Sequence, residues 1–125
     1  MVENEPRAAT APKNNVAEDK PRMSLIPMDV LARHLCPAYE EGIIKYARDS
    51  WRQGFNTSVM IDSADRHIAA FWHDCEDYDP DAAKLGIKKH HLGAAIFALI
   101  AILHTLDTRP ELDDRPTRGR ACKDT

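Results

Sequence analysis

The twelve residues LGAAIFALIAIL, at 92–103, contain no polar side chain, and they constrain this chain more than any other stretch. The run is too short to span a bilayer as a helix, so protein must bury it. The spacing predicts a helix over about His90 to Leu106, apolar nearly all round and therefore central. No strand pattern competes with it. Met28, Leu31, Leu35, Tyr39, Ile43 and Tyr46 recur every three or four residues, the stripe of an amphipathic helix. Pro27 fits its first turn, and Pro37 should kink it or split it in two. DSWRQGFNTS then breaks the pattern, with Asn56, Thr57 or Ser58 able to cap a further helix over about Ser58 to Cys75. The expected fold class is all-α.

Both ends read differently. Residues 1–22 and 107–125 are rich in charge and proline and hold few large apolar side chains, so each is expected to lack structure. That leaves residues 23–106 as the domain. A core of about 80 residues buries a modest share of its surface, and oligomerisation, as a dimer or tetramer, is the usual remedy. Cys36, Cys75 and Cys122 show no metal-finger spacing, and no signal peptide precedes them, so the expected compartment is the cytoplasm. A net charge of −3 and a pI near 6.0 argue against a broad basic surface for nucleic acid. Neither nucleic acid nor membrane is an expected partner.

Pairing the first two helices antiparallel across the 48–57 turn brings residue 41 level with about residue 64. Glu40, Glu41, Asp62 and Asp65 then share one inter-helix region. Such acids repel unless a cation lies among them, and oxygen ligands suit Mg²⁺ or Mn²⁺. The plainer reading is a solvated acidic face partnered by Lys45 and Arg66. His67, on the apolar side of its helix, suits a satisfied core histidine as well as a site residue. Trp51 could stack on a base or close the core. Across the second loop, Glu76 and Asp79 should lie near His90 and His91. Because Asp62 and Glu76 are separated by about 21 Å on a continuous helix, the acids form two clusters. There is no glycine-rich phosphate loop and no HExxH.

Read in order, RMSLIP, EEGIIKY, SWRQG, DSADRH, FWHDCEDYD and HHLGAAIFALIAIL resemble the phage dATP/dGTP diphosphohydrolase family. These are similar to the MazG-like all-α nucleotide pyrophosphatases of the MazZ type. The resemblance spans about residues 22–106. It implies an oligomeric antiparallel helical bundle in the host cytoplasm. It also implies metal-dependent hydrolysis of a purine deoxynucleoside triphosphate, dGTP before dATP, to monophosphate and pyrophosphate in phage nucleotide-pool metabolism. Glu40-Glu41 matches the first acidic element, with Ile44 where its third acid would be. Asp62 and Asp65, or else Glu76 and Asp79, fill the second. On this reading Glu41 and Asp62 are catalytic, and Glu40, Glu41, Asp62 and Asp65 hold two to three Mg²⁺ or Mn²⁺ ions. Lys45, Trp51, Arg66, His67, Glu76, Asp79 and His91 contact the nucleotide. Cys75 stands where the family often has glycine, and Ala94 where it often has a second histidine. The alternatives are a non-catalytic helical interaction module, or an HD-type metal phosphohydrolase using His67 and His90 or His91, for which His73-Asp74 is the adjacent His-Asp pair.

Overall fold

The computed structural model describes residues 20–117. Five α-helices lie among them: α1 Met28–His34, α2 Cys36–Lys45, α3 Thr57–Trp72, α4 Pro80–Ala83 and α5 His91–Thr108. Short 3-10 turns occupy Met23–Leu25, Ser50–Gln53 and Pro110–Leu112. The expected break at Pro37 is real. Pro37 sits in the first turn of α2, where its missing N–H costs nothing, and the chain bends between His34 and Cys36.

The main packing is α3 along α5. They run antiparallel: the Phe55 N–H donates to Thr105 Oγ1 at 3.2 Å, while His67 meets His91 near the other end. Met60 and Ala64 of α3 face Ala95, Ala98 and Ala101 of α5, with Trp51, Phe55, Phe97 and Ile102 closing over them. Here the structure differs from the expectation that α2 pairs with α3; α2 lies chiefly against α1 and α5. The small α5 face allows this close approach. At Gly93 it is extreme, because a Cβ there would lie 1.9 Å from the His34 carbonyl oxygen.

The apolar run is not buried all round. Its alanines point inward, while Leu92, Ile96, Leu99 and Leu103 face outward, Leu103 at 62 % exposure. By length and composition α5 could cross a membrane, yet its alanine face is packed on α3 as in a core helix.

The ends also differ from expectation. Helix α5 continues past Leu106 to Thr108, and the following residues pack back on the domain. Asp114 accepts from the Ser58 N–H at 2.8 Å and from the Thr57 hydroxyl at 2.7 Å. It therefore caps α3, in place of the side chain of Asn56, which occupies the N-cap position without a side-chain bond. Of the expected flexible tail, 107–117 is thus ordered by specific bonds, and 118–125 lies outside the described residues. Of the expected disordered 1–22, residues 1–19 likewise lie outside them.

Candidate metal and nucleotide site

After α3 the chain reverses sharply. Cys75 takes φ +52°, the left-handed conformation that favours glycine, and the Glu76 N–H donates back to the Ala70 carbonyl. Residues 77–79 then run beside 89–91, with Asp79 N–H donating to the Lys89 carbonyl and His91 N–H to the Asp77 carbonyl. This short antiparallel pairing delivers Glu76 and Asp79 to the start of α5, as the loop arithmetic anticipated. Asp79 caps α4 by accepting from the Asp81 N–H at 2.9 Å.

His67, Asp79 and His91 converge there, their ligating atoms all within 4.8 Å of one another. His67 Nδ1 and His91 Nδ1 are 2.8 Å apart, and His91 Nε2 is 2.7 Å from Glu76 Oε1. A carboxylate only accepts, so His91 donates to Glu76 from Nε2–H, and the two Nδ1 atoms share one proton between them. Burial lowers the His67 pKa, helped by the charge of Lys89 and opposed by that of Asp79. The imidazole is thereby kept in the neutral form that a metal requires. Burial alone would raise Asp79, but the Asp81 N–H and the Lys89 ammonium outweigh it and hold the carboxyl below its usual range.

Beside the triad, Lys89 Nζ lies 2.7 Å from Glu41 Oε1 and 3.2 Å from Asp79 Oδ2. All three groups are largely buried, and Glu41 Oε2 has no hydrogen-bond partner among the described residues. A groove of ≈ 760 Å³ runs from His67, Asp79 and Lys89 past Lys45 and Arg66 to Tyr46 and Trp51. Trp51 belongs to both readings offered above. It packs on Tyr39, Phe97 and His104, and it also lines the groove beneath the Arg52 guanidinium.

The expected tetrad of Glu40, Glu41, Asp62 and Asp65 does not assemble. Glu41 turns inward to Lys89, while Glu40 is exposed at a separate hollow with Arg33 and Lys88. Asp62 and Asp65 are exposed and line neither cavity, because α3 commits its Met60–Ala64 face to α5. His73 and Asp74 are exposed beyond the end of α3, away from the converged triad. Sequence reasoning missed Lys89. The available signal was period-two burial in the extended lead-in to α5, where Ile87, Lys89 and His91 are buried and Lys88 is exposed.

His67 and Asp79 on the wall of a groove lined by both cations and carboxylates, with buried His91 beside them, define a candidate metal-binding hydrolase site. The family model described as dATP/dGTP diphosphohydrolase, N-terminal, matches residues 10–115, and the chain belongs to this family. The family name denotes a hydrolase of nucleoside triphosphates, and the match is to its N-terminal domain. No curated protein and no solved structure matches the chain.

Proposed function

We propose that this protein is a MazG-like pyrophosphohydrolase of phage nucleotide metabolism, working in the host cytoplasm. It takes a purine deoxynucleoside triphosphate, dGTP before dATP, to the monophosphate and pyrophosphate. The convergence of His67, Asp79 and His91, the first two lining a nucleotide-sized groove, carries this reading. Of the two expected ions, Mn²⁺ suits this donor set better than Mg²⁺, which prefers oxygen throughout. Binding would displace the proton that the two Nδ1 atoms share. A bound divalent ion would supply charge neutralisation at the phosphoryl oxygens.

The chain's own residues do the rest. Lys45 and Arg66, on the groove wall, offset triphosphate charge. Glu41, which lines the groove and whose Oε2 has no hydrogen-bond partner among the described residues, takes the proton of a water as its oxygen attacks the α phosphorus. The bond from that phosphorus to the bridging oxygen breaks, and pyrophosphate leaves with the electron pair. Glu76 fixes the His91 ring through Nε2, and Trp51 offers the base an aromatic edge.

The test is incubation with each of the four dNTPs and Mn²⁺, with products resolved by anion-exchange chromatography. The expected products are dGMP and pyrophosphate, abolished by His91→Ala and retained by Asp62→Ala. Release of intact triphosphate, or an inactive Asp62→Ala beside an active His91→Ala, would overturn the reading.

The outward face of α5 supports self-association. Leu92, Ile96, Leu99 and Leu103 repeat at spacings of four, three and four, a helix-packing seam, and Trp72 of α3 is 71 % exposed. A second copy of the chain covers this face on this reading. Light scattering should give a dimer or tetramer that Leu99→Glu dissociates, whereas a monomeric wild type would refute self-association.

A further inference from the structure

We propose that Lys89 is a resident cation standing where a second divalent ion would otherwise bind, so that the site takes one divalent ion per chain. The inference rests on the metal-dependent reading above and departs from the two to three ions that family resemblance implies. Lys89 is 6 % exposed, and its ammonium reaches carboxylates from two separate elements, Glu41 of α2 and Asp79 at the start of α4. A buried ammonium is held only where anions offset its lost hydration. Any second divalent ion seated on Glu41 and Asp79 would have to evict Lys89 from both anions, leaving a buried, unmatched charge.

Charge arithmetic points the same way. With the histidines neutral, as ligation requires, Glu41, Asp79 and Glu76 contribute −3, and Lys89 and Lys45 contribute +2, a balance of −1 before any ion arrives. One divalent ion on the His67–Asp79–His91 triad gives +1, which a triphosphate readily balances. Two would give +3, and like charges at such separations repel strongly. Asp79 can serve both cations, since its Oδ2 faces Lys89, its Oδ1 accepts from the Asp81 N–H, and a carboxylate offers about four lone-pair directions.

The experiment is a Mn²⁺ titration of the full chain, read by the loss of the free-ion electron paramagnetic resonance signal and checked by equilibrium dialysis. Wild type should bind one ion per chain. Lys89→Met, which opens the space between Glu41 and Asp79, should bind two, with the line broadening of a coupled pair. Lys89→Arg, which keeps the charge, should remain at one. Two or more ions on wild type would overturn the inference while leaving the proposed function standing, and this arm is readable even if Lys89→Met does not fold. One ion on a folded Lys89→Met would also overturn it. No ion on wild type would overturn both this inference and the metal-dependent reading.

Discussion

The buried contact between Glu41 and Lys89 offers the sharpest test of how the site is held together. Their side chains are 9 % and 7 % exposed, and Nζ–Oε1 is 2.7 Å. Removing one partner of such a pair strands the other, at a cost of about 3–5 kcal/mol. Asp79, 3.2 Å from Nζ, retains part of the compensation, so Glu41→Ala should fall near the lower end of that range. For a domain of this size each kcal/mol lowers the melting midpoint by about 4–8 °C. A loss of about 3 kcal/mol therefore moves it by at least about 12 °C. Glu41→Gln keeps an acceptor for Lys89 and should lose less, about 1.5–3 kcal/mol. The assay is urea denaturation in chelator, completed as a double-mutant cycle with Lys89→Met. The double variant should be more stable than the sum of the single losses by at least about 1.5 kcal/mol, because neither charge is then stranded. Single losses below about 1 kcal/mol that simply add would show that the pair is hydrated and that the buried-cation argument fails.

Three further outcomes follow from local geometry. Gly93→Ala places a Cβ 1.9 Å from the His34 carbonyl oxygen, so α1 and α5 must separate; a loss of about 1–3 kcal/mol is expected by denaturation, and an unchanged midpoint would refute the close crossing. Cys75→Gly relieves a left-handed residue and should raise stability by about 0.5–1 kcal/mol, net of the greater freedom of the unfolded chain; a lower melting midpoint would contradict this. The hydroxyls of Ser58 and Thr57 and the Ser58 N–H hold Asp114 down at about 2, below the 3.8 of the unfolded chain. Because the unfolded state takes up that proton first, the cap stabilises fully above pH 3.8, and its contribution fades as pH falls through about 2. Asp114→Ala should accordingly melt lower than wild type at pH 7 but alongside it near pH 2, and a gap that persists at pH 2 would refute the assignment.

Much of the fold was legible because it rests on local signals. The stripe from Met28 to Tyr46, the break at Pro37 and the turn signals around Gly54 and Pro80 place the helices to within a few residues. What local pattern could not supply was the partner of each helix. An apolar run such as 92–103 looks the same whether its alanines or its leucines face the core. Alanine won, because it lets α3 and α5 approach closely, and that choice moved Asp62 and Asp65 outside and Glu41 to Lys89. Glu76, Asp79 and His91 were placed near one another by loop length alone, since a short connection leaves few alternatives. Lys89 escaped notice because Lys88, its neighbour and chemical twin, is exposed, and only the two-residue alternation of an extended segment separates them. Asp114 was hidden in a stretch whose composition reads as unstructured; its bond to the α3 N-terminus is long-range and leaves no local trace.

Histidine nitrogen, rather than carboxylate oxygen alone, holds the divalent ion in the proposed site. Electron spin echo spectroscopy of Mn²⁺ bound to the full chain reads this directly. The expected result is modulation from imidazole nitrogen in wild type, retained in Asp62→Ala and lost when His67 and His91 are both replaced by alanine. An oxygen-only spectrum in wild type, or nitrogen modulation that survives removal of both histidines, would contradict the site.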